Sequence, residues 1–452
     1  MRIVRNAISL LSCAVALGLC APTGLAQNCA GTSVGLTPIN DLGSGSYLGS
    51  QGGLYPGGTN VRPIAHTVGG LAQAAAIVPR DASGAPAAGG KIVFLSIGMS
   101  NCTQEFSRFV ADSASDALRS PNVVLVDGAQ GGQTATIILD PNANFWTVVA
   151  QRLQAAGVSA QQVQAIWFKE ADASPSTGWP AYAQTLQSEF EGIMGVIHAK
   201  FTNARICYMA SRIYAGYATS ALNPEPYSYQ QGFSIKWVIE DQINGSPALN
   251  YDAAQGPVAS PWIDWGTYNW ADGLTPRSDG LTWACSDYVT DGTHPSNAGK
   301  EKVAQILLAF VHSEPTAASW YLKQPAPAPY GTGKLTSLST LPTVGWTGTP
   351  SLATNDFAFT YTGGIPHATG LGFFSPLPAN VPFINATRYV GSPLVRLPTQ
   401  ALSATGSGSF SIPIQPGMVG ATRFYQGWMR DVNQADGTGA VVSNALRVVF
   451  SN

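Results

Sequence analysis

The sequence predicts a chain in two parts: an α/β domain, with a parallel sheet covered by helices on both faces, followed by a small all-β sandwich domain. Three observations carry this. Between Lys91 and Leu322, short continuous apolar runs alternate with segments whose apolar residues fall at helical spacing, as expected of strands buried on both faces. At Pro325-Ala326-Pro327-Ala328-Pro329-Tyr330-Gly331 the composition shifts to a Pro-rich linker of the semi-rigid kind. Beyond it, short Val, Phe, Tyr and Thr runs alternate with Gly, Pro and Asn turns, which is strand-and-turn chemistry.

The first 26 residues read as a secretory signal peptide. Arg2 and Arg5 precede an apolar run from Ala7 to Leu19, and Gly24-Leu25-Ala26 stands before Gln27. The run is short for a bilayer span, and Leu19 rather than a small residue precedes Cys20, which argues against a lipoprotein. No other stretch is long and apolar enough to cross a membrane, so a secreted protein is expected, extracellular or periplasmic, with no membrane association after cleavage. The expected domains are 27–322 for the α/β part, 323–332 for the linker and 333–452 for the sandwich.

From Asn28 to Gly90 the chain is rich in Gly, Pro, Ala and Thr and reads as an extended lead-in with one strand at Ile64 to Val68. A regular rhythm follows. Strands are expected at Ile92–Ile97, Val123–Val126, Val163–Phe168 and Arg205–Met209. Helices are expected around Phe106, Phe109, Val110 and Ala117, around Phe145 to Leu153, around Leu186 to Ile197, and around Val303 to Phe310. In the last part, Phe424–Asp431 and Ala445–Phe450 should pair as a closing hairpin. That domain shows no catalytic constellation and is expected to be an accessory or carbohydrate-binding module.

Composition limits the function. Charged residues are 11% of the chain and the net charge is −2, so there is no electrostatic case for nucleic acid or an anionic membrane, and a monomer is expected. Without the signal peptide four cysteines remain, Cys29, Cys102, Cys207 and Cys285, an even number suited to an oxidising compartment. Three pairings are possible. A Cys102–Cys285 bridge tying two proposed catalytic segments is one hypothesis, and a buried, unpaired Cys207 in a strand is another. No Cys-x-x-Cys spacing or His-rich cluster argues for a metal, and no cofactor is expected.

In parallel sheets functional groups collect at the carboxyl ends of the strands. Ser100 follows the first strand, after Gly98. A serine nucleophile needs a histidine to take its proton and usually a carboxylate to orient that histidine. The chain has five histidines. His198 and His312 sit in helix-like runs, His367 lies in the second domain and His66 is a weak competitor. His294, in Asp291-Gly292-Thr293-His294-Pro295, has an acid three residues before it. Taken singly, Ser100 can be a helix cap and His294 a solvent-facing turn residue; their joint placement at strand ends favours a catalytic set.

Three blocks together, Ile97-Gly98-Met99-Ser100, Asp127-Gly128-Ala129-Gln130-Gly131-Gly132-Gln133-Thr134 and Asp291-Gly292-Thr293-His294-Pro295, resemble those of the SGNH (GDSL-like) hydrolases over about Lys91 to Leu322. The resemblance implies a flavodoxin-like three-layer α/β/α fold and ester hydrolysis. It also implies Ser100 as nucleophile, His294 as base, Asp291 as its orienting acid, and the N–H groups of Ser100 and Gly132 as oxyanion donors. Two departures stand out. Met99 replaces the family's aspartate before the serine. In the third block, where the family has a donating asparagine, Phe168-Lys169-Glu170-Ala171-Asp172 offers only Ala171 or Asp172. Either Asn101 or Lys169 replaces that donor, or the enzyme is slow, or catalysis has been lost.

Other residues are candidates for substrate binding: Asn101, Asp172, Arg212 after the fourth strand, and Trp270 within an aromatic-rich stretch that also holds Trp262, Trp265, Tyr268 and Trp283. Surface ion pairing is the plain alternative for Arg212, and core filling or a rigid insertion is the alternative for the aromatics. The expected function is that of a secreted serine esterase acting on an ester substrate, such as an acyl group on a polysaccharide. The alternative is a carbohydrate-binding or adhesion protein on a catalytically degenerate scaffold.

Overall fold

Among the described residues, five parallel strands form the central sheet: β1 (Ile92–Gly98), β2 (Val123–Asp127), β3 (Val163–Lys169), β4 (Ile206–Ala210) and β5 (Trp262–Thr267), in the order β2-β1-β3-β4-β5. The computed structural model describes residues 27–87, 89–323, 326–350, 355–415, 418 and 421–450, so the expected signal peptide lies outside the described residues. Every residue of β1, β3, β4 and β5 is buried, because helices cover both faces. The helices are α1 (Ile64–Ala75), α2 (Ser100–Ser113), α3 (Asn144–Ala155), α4 (Ala181–Lys200), α5 (Tyr227–Ile243) and α6 (Asn297–Ser313). α2 packs on α6, and α4 packs on α5. This is the doubly covered α/β domain that the alternating pattern anticipates.

The lead-in departs from expectation. Ile64 to Val68 is not a strand but the first turn of α1, which starts after Pro63. Ile64, Val68 and Leu71 lie at helical spacing. Gly69 and Gly70 hide the helix, and Gly70 is there for packing: a Cβ would lie 2.4 Å from the Trp262 ring. The aromatic stretch also differs. Trp262–Thr267 is the fifth strand of the sheet rather than an insertion, and its Asp264 is satisfied by Arg62 at 2.5 Å and by the Tyr55 hydroxyl at 2.9 Å.

Within the Pro-rich stretch, Ala328–Tyr330 forms a strand paired antiparallel to Ala445–Arg447. The following module places a six-stranded antiparallel sheet against a three-stranded one. Phe359, Tyr361 and Phe410 meet Tyr425, Met429 and Leu446 between them, with the Phe359 and Tyr425 rings stacked at 5.4 Å. The expected closing hairpin is present as Thr422–Arg430 paired with Ala440–Val449. Leu71 of α1 is fully buried among Tyr330, Phe373, Tyr389 and Phe424, so this helix ties the α/β domain to the β-rich module.

The disulfide joins Cys29 to Cys285, not Cys102 to Cys285. Cys102 is buried one turn into α2, where its Sγ approaches the Ile97 carbonyl at 3.5 Å, inside the core and out of reach of the Cys285 turn. Cys207 is buried and free within β4.

Candidate active site

The position of Ser100 follows from how β1 ends. Gly98 has φ +153°, and a Cβ there would stand 2.0 Å from the Lys169 carbonyl, so only glycine lets β1 and β3 meet at this point. Met99 is extended, and α2 begins at Ser100. The Ser100 N–H is thus one of the helix-start donors without an intrahelical acceptor.

The second block is held against the first. Asp127 accepts hydrogen bonds from Ser96 Oγ (2.6 Å), Ser107 Oγ (2.8 Å) and Thr103 Oγ1, while the Gln130 N–H donates to the Gly98 carbonyl at 2.9 Å. Arg152 donates to the carbonyls of Asp127 and Ala129. This fixed loop brings Gly131 and Gly132 beside Ser100, where a Cβ on Gly131 would sit 3.8 Å from the Ser100 Cβ.

The third component arrives on the loop before α6. Tyr288 and Pro295 form an isolated antiparallel bridge, the Val289 N–H donates to the His294 carbonyl at 3.0 Å, and Asn101 Nδ2 donates to the Thr293 carbonyl at 3.1 Å. His294 Nε2 lies 2.8 Å from Ser100 Oγ, and His294 Nδ1 lies 2.6 Å from Asp291 Oδ2. Asp291 Oδ1 accepts from the N–H groups of Thr293 and His294, each at 2.9 Å. Burial alone would raise the Asp291 carboxyl, but the imidazole and the two N–H donors outweigh it and hold the group below the usual carboxylate range. An ionised carboxylate only accepts, so Nδ1 carries the hydrogen and Nε2 is left to accept from Ser100.

These residues open onto a cavity of about 200 Å³, lined by Ser100, His294, Gly132, Arg212, Leu222 and Asn223 among others. Asn101 also lines it, but its amide is committed to the Thr293 carbonyl. Lys169 is fully buried in an ion pair with Glu105 at 2.5 Å; burial pushes the Glu105 carboxyl up and the Lys169 ammonium down, and the contact opposes both shifts. Asp172 accepts from Thr136 N (3.1 Å) and Oγ1 (2.9 Å), and it lines a neighbouring recess rather than this cavity. Trp270 is 1% exposed, donates from Nε1 to Glu225 at 2.8 Å and packs on Tyr229, so it fills the core behind the site. Among the four expected substrate contacts, the fold therefore brings Asn101 and Arg212 to the cavity and places Asp172 and Trp270 outside its lining.

Asn223 is a lining residue that the sequence did not single out. Its amide donates to the Asp172 carbonyl (3.1 Å) and the Tyr182 hydroxyl (2.9 Å), leaving Oδ1 buried without a partner. The only local signal is the Asn223-Pro224 turn dipeptide. Two of the other histidines have structural roles. His66 is buried, stacked on Trp262 and 2.9 Å from the Ile263 carbonyl, and His312 contacts Asp116 at 2.8 Å.

No protein-family model matches the sequence, and no curated protein matches it. Among solved structures, the periplasmic domain of a lipopolysaccharide acetyltransferase from Salmonella ser. Paratyphi A aligns at 13% identity over 54% of this chain and 95% of its own, with a TM-score of 0.28. The salicylyl-acyltransferase of a tetracycline biosynthetic pathway aligns at 14% identity over 51% of this chain and 58% of its own, also at 0.28. A two-domain esterase active on acetylated mannans aligns at 10% identity over 81% of this chain and 92% of its own, with a TM-score of 0.27. By name, all three are acyltransferases or esterases.

Proposed function

We propose that this protein is an exported SGNH-type serine esterase that cleaves a carboxylic ester through an acyl-enzyme. The observation that carries the reading is the continuous relay from Ser100 Oγ to His294 Nε2 at 2.8 Å and from His294 Nδ1 to Asp291 at 2.6 Å. Ser100 Oγ attacks the ester carbonyl while His294 takes its proton, and the oxyanion is received by the N–H groups of Ser100 and Gly132. Neither N–H has an acceptor in the hydrogen bonds of the described residues, which suits a preformed hole. His294 then returns the proton to the leaving alcohol. Water repeats the cycle and releases the acid.

The cavity volume suits a short acyl group such as acetyl, and an acyl ester on a polysaccharide is the substrate class proposed. Export is supported by the Cys29–Cys285 disulfide, a bond that persists in oxidising compartments. No helix of the described residues is long and apolar enough to cross a membrane.

A second reading, a binding or adhesion protein on a scaffold that has lost catalysis, is favoured by one observation: no amide after β3 faces the cavity where the family places a donating asparagine. Hydrolysis of p-nitrophenyl acetate by the purified protein and by Ser100→Ala separates the two. Activity in the parent that disappears in the variant supports the esterase. Equal rates refute Ser100 as nucleophile, and inactivity of both favours binding.

A further inference from the structure

The cavity beside Ser100 is lined by an arginine for which no ion pair is found among the described residues. Arg212 follows β4 and is 2% exposed, yet it lines the same cavity as Ser100, Gly132 and His294. Its backbone N–H donates to Gln231 Oε1 at 3.0 Å, which fixes the residue at the strand end. The guanidinium Nε has no hydrogen-bond partner, and no ion pair reaches the guanidinium among the described residues.

None of the acids around it forms an ion pair with it among the described residues. Glu105 is committed to Lys169, and that pair sums to zero charge whichever member holds the proton. Glu170 is fully buried, with one oxygen accepting from Ala171 N and the other unpartnered, and burial pushes its carboxyl well above the usual range. Glu225, pushed up to about 7 by burial, already accepts from Trp270 Nε1, Ala215 N and Tyr229 N. An arginine keeps its proton in a protein interior, and a buried cation without a partner is costly unless a second charge arrives.

We propose that the Arg212 guanidinium stabilises the negative charge that builds on the substrate carbonyl oxygen as Ser100 attacks, taking the part of the amide donor missing after β3. The proposal rests on the esterase reading above. A neutral ester gains little from the cation, whereas the tetrahedral oxyanion gains much from a buried one, so the effect falls on turnover rather than on substrate affinity.

The test compares the full chain with Arg212→Met and Arg212→Lys in p-nitrophenyl acetate hydrolysis, with thermal melts confirming the fold. Arg212→Met is expected to lose about 100-fold or more in kcat with KM within about threefold of the parent, and added guanidinium ion restores part of the loss. Arg212→Lys keeps a cation and falls between the two. A parent-like kcat in folded Arg212→Met, or a change confined to KM, overturns the proposal. If Arg212→Met does not fold, Arg212→Lys decides: kcat lowered about 3- to 30-fold at unchanged KM supports the role, and an unchanged kcat overturns it. Ser100→Ala run alongside separates the two claims. Activity surviving there refutes the esterase reading itself, while its loss with a normal kcat in Arg212→Met refutes only the role of the arginine.

Discussion

Asp291 sets the tautomer of His294, and that makes it the most informative residue beside Ser100, the proposed nucleophile. Asn at this position keeps an oxygen for the N–H groups of Thr293 and His294 but turns an NH₂ toward Nδ1. The ring then carries its hydrogen on Nε2 and cannot accept from Ser100. Asp291→Asn is therefore expected to lower kcat by about 10³- to 10⁴-fold with little loss of stability, read by esterase kinetics and a melt. The spacing of Ser100, Asp291 and His294 made this relay legible before the fold was known. Asn223 was not, because it reaches the cavity only through the path of the loop after β4.

At the level of elements, β1 to β4 were legible because each is a short apolar run, with β1, β3 and β4 buried on both faces. β5 was not: Trp262-Ile263-Asp264-Trp265 carries a charge inside the sheet that only the distant Arg62 and Tyr55 satisfy. α5 was missed for a related reason. It buries Ser228, Gln230, Gln231 and Ser234, whose partners are tertiary, so no apolar stripe marks it. α1, hidden by its glycines, carries His66, and burial against Trp262 pushes that imidazole down to about 3, partly opposed by the Ile263 carbonyl. The unfolded chain takes up this proton near pH 6.5 and the folded chain only near 3. Its contribution to stability is thus complete above about pH 6.5 and is lost on acidification, at up to about 1.4 kcal/mol per pH unit. Urea midpoints at pH 7.5 and 5 should differ more for the parent than for His66→Gln, both pH values lying roughly outside and inside that window.

Across the whole molecule, two ties hold distant parts together. The Cys29–Cys285 bridge closes a loop of 256 residues in sequence separation and anchors the N-terminal strap ahead of the Asp291–His294 loop. In the chain-entropy description such a bridge is worth about 5 to 6 kcal/mol, so Cys29→Ser should lower the melting temperature clearly. Cys102 and Cys207 should react with thiol reagents only after unfolding, because both are buried. The second tie is Leu71, fully buried between α1 and the β-rich module. Leu71→Ala should cost about 2 to 4 kcal/mol in denaturant titration. This joint was not legible, since Ile64 to Val68 read as a strand and the Pro-rich stretch read as a semi-rigid linker.

The catalytic relay itself is tested most directly by a fluorophosphonate ester, which labels only a serine activated by a neighbouring base. Intact-mass analysis followed by peptide mapping should find one phosphonyl adduct on Ser100, absent in Ser100→Ala and strongly slowed in His294→Ala. A folded protein that takes no label, or takes it equally at another serine, contradicts the account.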